Sequence, residues 1–241
     1  YIYVDSVKAV NGTNVRVSIY KHGTVVMAHT PAFKPLTVYT GQNYSGDSAM
    51  YTIQHLTSLG VMDNKIRSFK LKRGYMATLA TGNYGSGYSR VFIADDADIE
   101  VPVLNYYLDE AISMIRVFKW NYTSKKGWAG SDPNQYGKMR ATWRYDWSNS
   151  GSSTNLLEYT PIKQNAGWPD WNGINTKADV THVLGFNEPD RPDQSNMTFD
   201  QMISIWPEFL KSGLRIGSPA WSNPWGGTGG NLFDFIKKCD E

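Results

Sequence analysis

The sequence predicts a multidomain chain, an all-β region followed by a region of α/β type. Three observations carry this reading. All nine tryptophans lie at or after Trp120, whereas eleven of the fifteen tyrosines precede it. A ten-residue segment at 39–48 recurs at 80–89. Beyond residue 120, an apolar strand, a segment of helical spacing and a second apolar strand follow one another, the order of a βαβ unit.

The 241 residues suffice for one large or two modest domains, and 41% hydrophobic content permits real cores. The formal charge of +2 gives no polyelectrolyte signal, and no basic stripe suggests a nucleic-acid partner. No apolar run reaches the length of a membrane span. The single cysteine, Cys239, excludes an internal disulfide framework and reads as a buried helix residue. No phosphate loop, Gly-X-Ser-X-Gly elbow or zinc-spaced Cys/His cluster occurs, so neither a cofactor nor a metal is expected. His182 has no partner at ligand spacing and reads as a histidine at a strand start.

Residues 1–36 read as a partial β segment, the tail of an upstream domain. Within it, Val15–Tyr20 and Gly23–Ala28 form a strand pair joined at Lys21-His22. From 37 to 119, short segments rich in Val, Ile, Thr and Tyr are separated by Gly, Asn and Asp turns, an all-β pattern. Here Tyr39-Thr40-Gly41-Gln42-Asn43-Tyr44-Ser45-Gly46-Asp47-Ser48 is echoed by Ala80-Thr81-Gly82-Asn83-Tyr84-Gly85-Ser86-Gly87-Tyr88-Ser89. Asp63-Asn64-Lys65-Ile66-Arg67-Ser68 is echoed by Asp109-Glu110-Ala111-Ile112-Ser113-Met114. The first pair is offset by 41 residues and the second by 46. Two such copies predict two stacked β units over one shared core. The motifs resemble a βγ-crystallin domain made of two Greek keys. That resemblance implies left-handed backbone at Gly46 and Gly87, a conformation open to glycine at little cost. Calcium-binding members use an acidic, amide and hydroxyl stretch as hard-cation ligands. Here Arg67 replaces a hydroxyl and Met114 ends the second copy, so calcium is not expected; a purely structural domain is, with carbohydrate or surface attachment as its functional rival.

From 120 to 241, strands are expected at 127–129, 141–145, 157–162, 180–186 and 215–220. Between the last two, Phe199, Met202, Ile203, Trp206, Phe209 and Leu210 have helical spacing. Asn196 or Thr198 is placed to cap that helix, and Gly213 to end it. A further helix is expected around Phe233 to Cys239. Trp206 reads as helix packing, Glu208 as a solvated helix residue and Asp190 as a brace for its loop.

The chemistry concentrates where the fourth of these strands ends in Asn187-Glu188-Pro189. Proline cannot donate to a sheet ladder, so the strand stops there and presents Asn187 and Glu188 at its carboxyl end. Parallel α/β architectures carry catalytic side chains on that edge. A carboxyl against an apolar floor is a natural general acid, since desolvation raises its pKa, and Asn187 is suited to bonding a substrate hydroxyl.

Leu184-Gly185-Phe186-Asn187-Glu188-Pro189-Asp190, Gln194-Ser195-Asn196-Met197-Thr198 and Gly217-Ser218-Pro219-Ala220 together resemble glycoside hydrolase family 128. Thr142-Trp143-Arg144-Tyr145-Asp146-Trp147 and Glu158-Tyr159-Thr160-Pro161-Ile162 look like that family's second and third strands. The resemblance covers about residues 125–241. It implies a (β/α)8 barrel, incomplete here because five of eight strands can be counted, and cleavage of internal β-1,3-glucan linkages with retention. It implies Glu188 as general acid/base, Asn187 on the sugar 2-hydroxyl, and a nucleophilic Glu on a strand the chain lacks. The chain alone is therefore expected to be inactive. The expected partner is a β-glucan polysaccharide, and the expected location is outside the cell or on its surface.

Trp143, Tyr145 and Trp147 alternate and so share one face. Trp168 and Trp171 lie in a Gly/Pro/Asn loop. Trp221 and Trp225 flank Ser222-Asn223-Pro224 ahead of Gly226-Gly227 and are expected to be exposed. Trp143, Tyr145, Trp147, Trp221 and Trp225 are thus expected to stack on sugar rings. The rival from another class is a non-catalytic carbohydrate-binding protein that uses the same Trp-rich loops.

Overall fold

A computed structural model of the chain describes residues 1–4, 6–20, 23–56, 58–226 and 231–239. The chain opens with a two-residue pair, β1 (Tyr3–Val4) and β2 (Val7–Lys8), followed by the antiparallel β3 (Val15–Tyr20) and β4 (Gly23–Ala28). The joint expected at Lys21-His22 lies outside the described residues. The β3–β4 pair is anchored to later parts of the chain. Val25 and Met27 of β4 are buried in one cluster with Met76, Phe118, Trp120 and Tyr122. The Tyr75 hydroxyl donates to the Ala28 carbonyl at 2.8 Å, and the Arg16 guanidinium donates to the Trp120 carbonyl.

Eight strands form the β unit. They are β5 (Leu36–Tyr39), β6 (Ser48–Tyr51), β7 (Gln54–Leu56), β8 (Ser68–Leu71), β9 (Tyr75–Ala80), β10 (Ser89–Ala94), β11 (Ile99–Val101) and β12 (Met114–Lys119). They pair antiparallel into two four-stranded sheets, ordered β11-β8-β5-β6 and β10-β9-β12-β7. Each repeat thus lends its third strand, β7 or β11, to the sheet of the other. Leu36, Val38, Ile66, Phe69, Leu71, Ala77, Leu79, Ile115 and Val117 fill the core between the sheets.

The two repeat hairpins fold alike. Gly46 and Gly87 have φ of 76° and 72°, as their place in the motif implied. The Thr40 and Thr81 hydroxyls accept from the Asp47 and Tyr88 amides at 2.9 and 3.0 Å. β9 is buried along its whole length, because both of its faces are covered. Tyr75, Ala77 and Leu79 face the core of the β unit, while Met76 faces the cluster shared with the second region.

The second region runs β13 (Gly127–Ala129), α1 (Pro133–Met139), β14 (Trp143–Tyr145), β15 (Glu158–Tyr159), α2 (Trp171–Asn175), β16 (His182–Val183), α3 (Phe199–Lys211), β17 (Arg215–Ile216) and α4 (Leu232–Cys239). Every pairing is parallel: β13 with β14, β14 with β15 and β16 with β17. A single bridge, Ile162 with Leu184, joins the two groups, and another links Asn187 to Ala220. The five segments lie side by side in one direction, and among the described residues they form no closed barrel.

The ladders are shorter than the sequence implied. Around Gly185 the neighbouring segment approaches so closely that a Cβ would stand 2.8 Å from the Gly217 oxygen and the Pro219 nitrogen, and Pro219 has no N–H to donate. Thr198 caps α3 in a reciprocal box with Gln201, and Met202 and Phe209 carry its buried face. Leu210, counted as part of that face, is exposed. Cys239 is in a helix as expected but exposed, since only Phe235 of α4 is buried. No helix among the described residues is long and apolar enough to cross a membrane.

The β unit packs where the parallel strands begin. The Thr78 hydroxyl donates to the Gly213 carbonyl at 2.5 Å, just ahead of β17. The buried Arg116 guanidinium donates to the Ser212 and Lys177 carbonyls, the latter at 2.6 Å. Asn121 donates to the Asp179 carbonyl at 3.1 Å, ahead of β16. Burial, with no carboxylate to offset it, pushes Arg116 down to about 9. The opposite edge, where these strands end, is left to Asn187 and Glu188.

Candidate active site

Phe186 is buried against Phe209 and Trp206, with ring centroids 5.3 and 6.5 Å away. Beyond this anchor the Ala220 amide donates to the Phe186 carbonyl and the Glu188 amide to the Ala220 carbonyl, both at 2.8 Å. The Asn187 amide donates to Gln164 from the other side at 3.0 Å. Then the strand breaks. Glu188 adopts φ 43°, a left-handed conformation costing roughly 1–2 kcal/mol outside glycine. Such strain persists only where neighbours over-determine it, and it clusters at functional sites.

The Glu188 side chain is 36% exposed, with Oε2 3.8 Å from Nε of Arg191. The carboxylate is thus half-buried at the break, between the strand end and the turn that leads to Arg191. Arg191 forks onto Asp193 at 3.0 and 2.8 Å. The Asn187 carboxamide donates to Oε1 of Gln194 at 3.0 Å, and the Ser195 hydroxyl reaches the Asn187 and Gln164 carbonyls. Asp190 braces the loop after β17, accepting from the Ser222 amide at 2.9 Å, the Ser222 hydroxyl at 2.7 Å and the Asn223 amide at 3.0 Å. Burial works to raise its pKa, but these hydrogen bonds prevail and hold the carboxyl below its ordinary value.

Tyr145 borders Glu188. Burial first, and then the Glu188 charge, push its phenol above the ordinary range. Its ring lies 5.0 Å from that of Trp147, tilted edge-on, and 6.5 Å from that of Trp143. Trp147 is exposed, with φ 55°, and its carbonyl accepts from the indole N–H of the exposed Trp168 at 3.1 Å. Trp143 sits deeper, lining a cavity of about 180 Å³ with Thr123, Thr160, His182 and Leu184.

Trp225 is exposed against Phe233, with centroids 5.2 Å apart. Trp221 departs from expectation: only 9% exposed, it packs on Phe235 of α4 at 5.6 Å. It directly follows the bridged Ala220, and its ring is covered by the helix instead of facing solvent. Gly227, in the same stretch, lies outside the described residues.

Glu158 is fully buried and saturated. It accepts from the Thr181 amide at 2.8 Å, the Thr181 hydroxyl at 2.9 Å and the His182 amide at 3.0 Å, and Nδ1 of His182 lies 2.9 Å away. That role is structural, and it accounts for His182 at a strand start. In the β unit, Arg67 forks onto Asp109 at 3.1 and 2.9 Å, so the first copy's guanidinium occupies the first acidic position of the second. Among the described residues no group of three or more His, Cys, Asp or Glu could hold a metal ion. Reasoning from sequence missed Arg191 as a neighbour of the site, whereas Gln194 stood in the motif and Trp168 in a Trp-rich loop. The turn spacing from Glu188 to Arg191 was the local signal for it.

A family model described as glycosyl hydrolase catalytic core matches residues 118–241. No curated protein matches the chain. Among solved structures, a βγ-crystallin domain from Flavobacterium johnsoniae is 31% identical with a TM-score of 0.32, covering 35% of this chain and 94% of that one. A βγ-crystallin domain from Clostridium beijerinckii is 17% identical with a TM-score of 0.30, covering 35% and 97%. A subgroup I endo-β-1,3-glucanase of glycoside hydrolase family 128 from Amycolatopsis mediterranei, a variant in complex with laminaritriose and laminaribiose, is 23% identical with a TM-score of 0.42. That match covers 49% of this chain and 52% of the glucanase, so the chain spans about half of that enzyme's length.

Proposed function

Because the chain belongs to the glycosyl hydrolase catalytic core family, matched over residues 118–241, we propose that it is part of a retaining hydrolase of internal β-1,3-glucan linkages with Glu188 as general acid/base. In this reading Glu188 protonates the bridging oxygen as the bond breaks, then as carboxylate takes a proton from the water that releases the product. Asn187, held by Gln194, contacts the sugar 2-hydroxyl. The nucleophile is a carboxylate outside these 241 residues, the parallel strands are the first five of a (β/α)8 barrel, and the chain by itself does not turn over. The enzyme works outside the cell or on its surface.

One observation carries the reading: a strained, half-exposed glutamate at the carboxyl end of a parallel strand, beside Tyr145. In the protein carrying the whole barrel, Glu188→Gln is expected to lower kcat on laminarin by about 10²–10⁴-fold with little change in affinity. Normal turnover by that variant would remove Glu188 from this role. The second reading, glycan binding without hydrolysis, draws on the Tyr145, Trp147 and Trp168 cluster, which can hold a sugar without a second carboxylate. It predicts laminari-oligosaccharide binding by a full-length wild type that releases no reducing ends.

A further inference from the structure

Tyrosines of the β unit crowd into solvent away from the Glu188 edge. Tyr106 is 89% exposed, Tyr107 61% and Tyr88 39%, and Tyr84 on the same hairpin is exposed as well. The Tyr88 and Tyr107 rings stack with centroids 4.9 Å apart and planes at 28°, and Tyr106 meets Tyr107 edge-on at 5.6 Å. The contact joins the second repeat hairpin to the turn between β11 and β12. Each segment is fixed independently. Thr81 holds the Tyr88 amide at 3.0 Å, and the Asn105 side chain holds the Tyr107 and Leu108 amides at 3.0 and 3.1 Å. The aromatic step therefore exists before any ligand arrives, which spares the ordering cost of binding. Contiguous exposed apolar surface of this kind marks interaction sites.

Charge identifies the kind of ligand. Residues 81–89 and 102–108 contain no Asp, Glu, Lys, Arg or His; of the charges that follow them, Arg90 lies over the Phe92 ring and Asp109 and Glu110 face Arg67. A phosphate or carboxylate would need cationic donors here, and a cation would need acids. An uncharged ring with an apolar face and a hydroxyl rim matches tyrosine, whose body is apolar and whose tip is polar. The first repeat offers no counterpart: Tyr44 leans on Tyr39 at 5.7 Å, and the Lys70 ammonium lies 4.1 Å from its ring centre.

We propose that Tyr88, Tyr106 and Tyr107 form an ancillary site for an uncharged polysaccharide, a β-1,3-glucan chain, separate from the Glu188 edge. The choice of glucan rests on the hydrolase reading. The test measures retention of the protein carrying the whole barrel on insoluble curdlan together with its affinity for laminaritriose. Tyr106→Ala combined with Tyr107→Ala is expected to lower retention about tenfold, at unchanged Tm and laminaritriose affinity. Trp147→Ala is expected to weaken laminaritriose binding while leaving most of the retention. Tyr106→Ala alone guards against misfolding, since that side chain is almost wholly in solvent; undiminished retention in this variant overturns the proposal. Tyrosine-dependent retention without laminaritriose binding would sink the hydrolase reading and leave this site standing. Laminaritriose binding with tyrosine-independent retention would do the opposite.

Discussion

His29 follows β4, with Nδ1 3.4 Å from the Tyr75 hydroxyl. Burial, followed by the charges of Lys119 and Arg16, lowers its pKa from 6.5 to about 4. Above about 6.5 neither folded nor unfolded chain protonates this ring. Between 6.5 and 4 the unfolded chain takes up the proton and the folded one does not, so stability falls as pH drops through that window, and below 4 the loss is complete. For a half-buried ring, after allowing for screening, this amounts to about 1 kcal/mol. Urea melts at pH 7.5 and 4.5 should show a smaller pH difference for His29→Gln than for wild type; equal differences would count against the assignment. Residue-scale legibility was uneven. The place of Asn187 and Glu188 at a strand end was readable, because proline cannot continue a sheet ladder. Trp221 was not, because whether a loop-like Trp is covered depends on Phe235, fourteen residues on.

Helix α3 was legible almost to the residue, since its stripe, Thr198 cap and terminal Gly213 are local signals. Both halves of the Thr198–Gln201 box are present, so Thr198→Ala should cost about 1 kcal/mol. Chemical denaturation measures that loss, and Thr198→Ser should restore most of it. The repeat hairpins were equally readable, being set by glycines and threonines within ten residues. The exchange of β7 and β11 between sheets was not, because it depends on pairing between repeats. Nor was the short β16–β17 ladder, which stops where Gly185 meets Gly217 and Pro219.

At the scale of the whole molecule, the meeting of the two regions turns on a difference between the repeats. Where the first has Tyr44, the second has Gly85, and a Cβ there would stand 2.7 Å from the Lys211 carbonyl oxygen at the end of α3. Its φ of 80° adds strain for any other residue. Gly85→Leu should therefore split thermal unfolding into two transitions as the regions part, whereas Thr198→Ala should keep one; scanning calorimetry distinguishes them. The doubly covered β9 has a consequence for anyone treating the β unit as a portable module. Excision after Lys119, or grafting onto a different partner domain, would strip the cover from Met76 and Phe118, at about 1.5–3 kcal/mol for each large side chain bared to water. A soluble stand-alone version would need polar replacements on that outer wall. Moving the unit between proteins is thus a repacking problem, not a matter of linker choice.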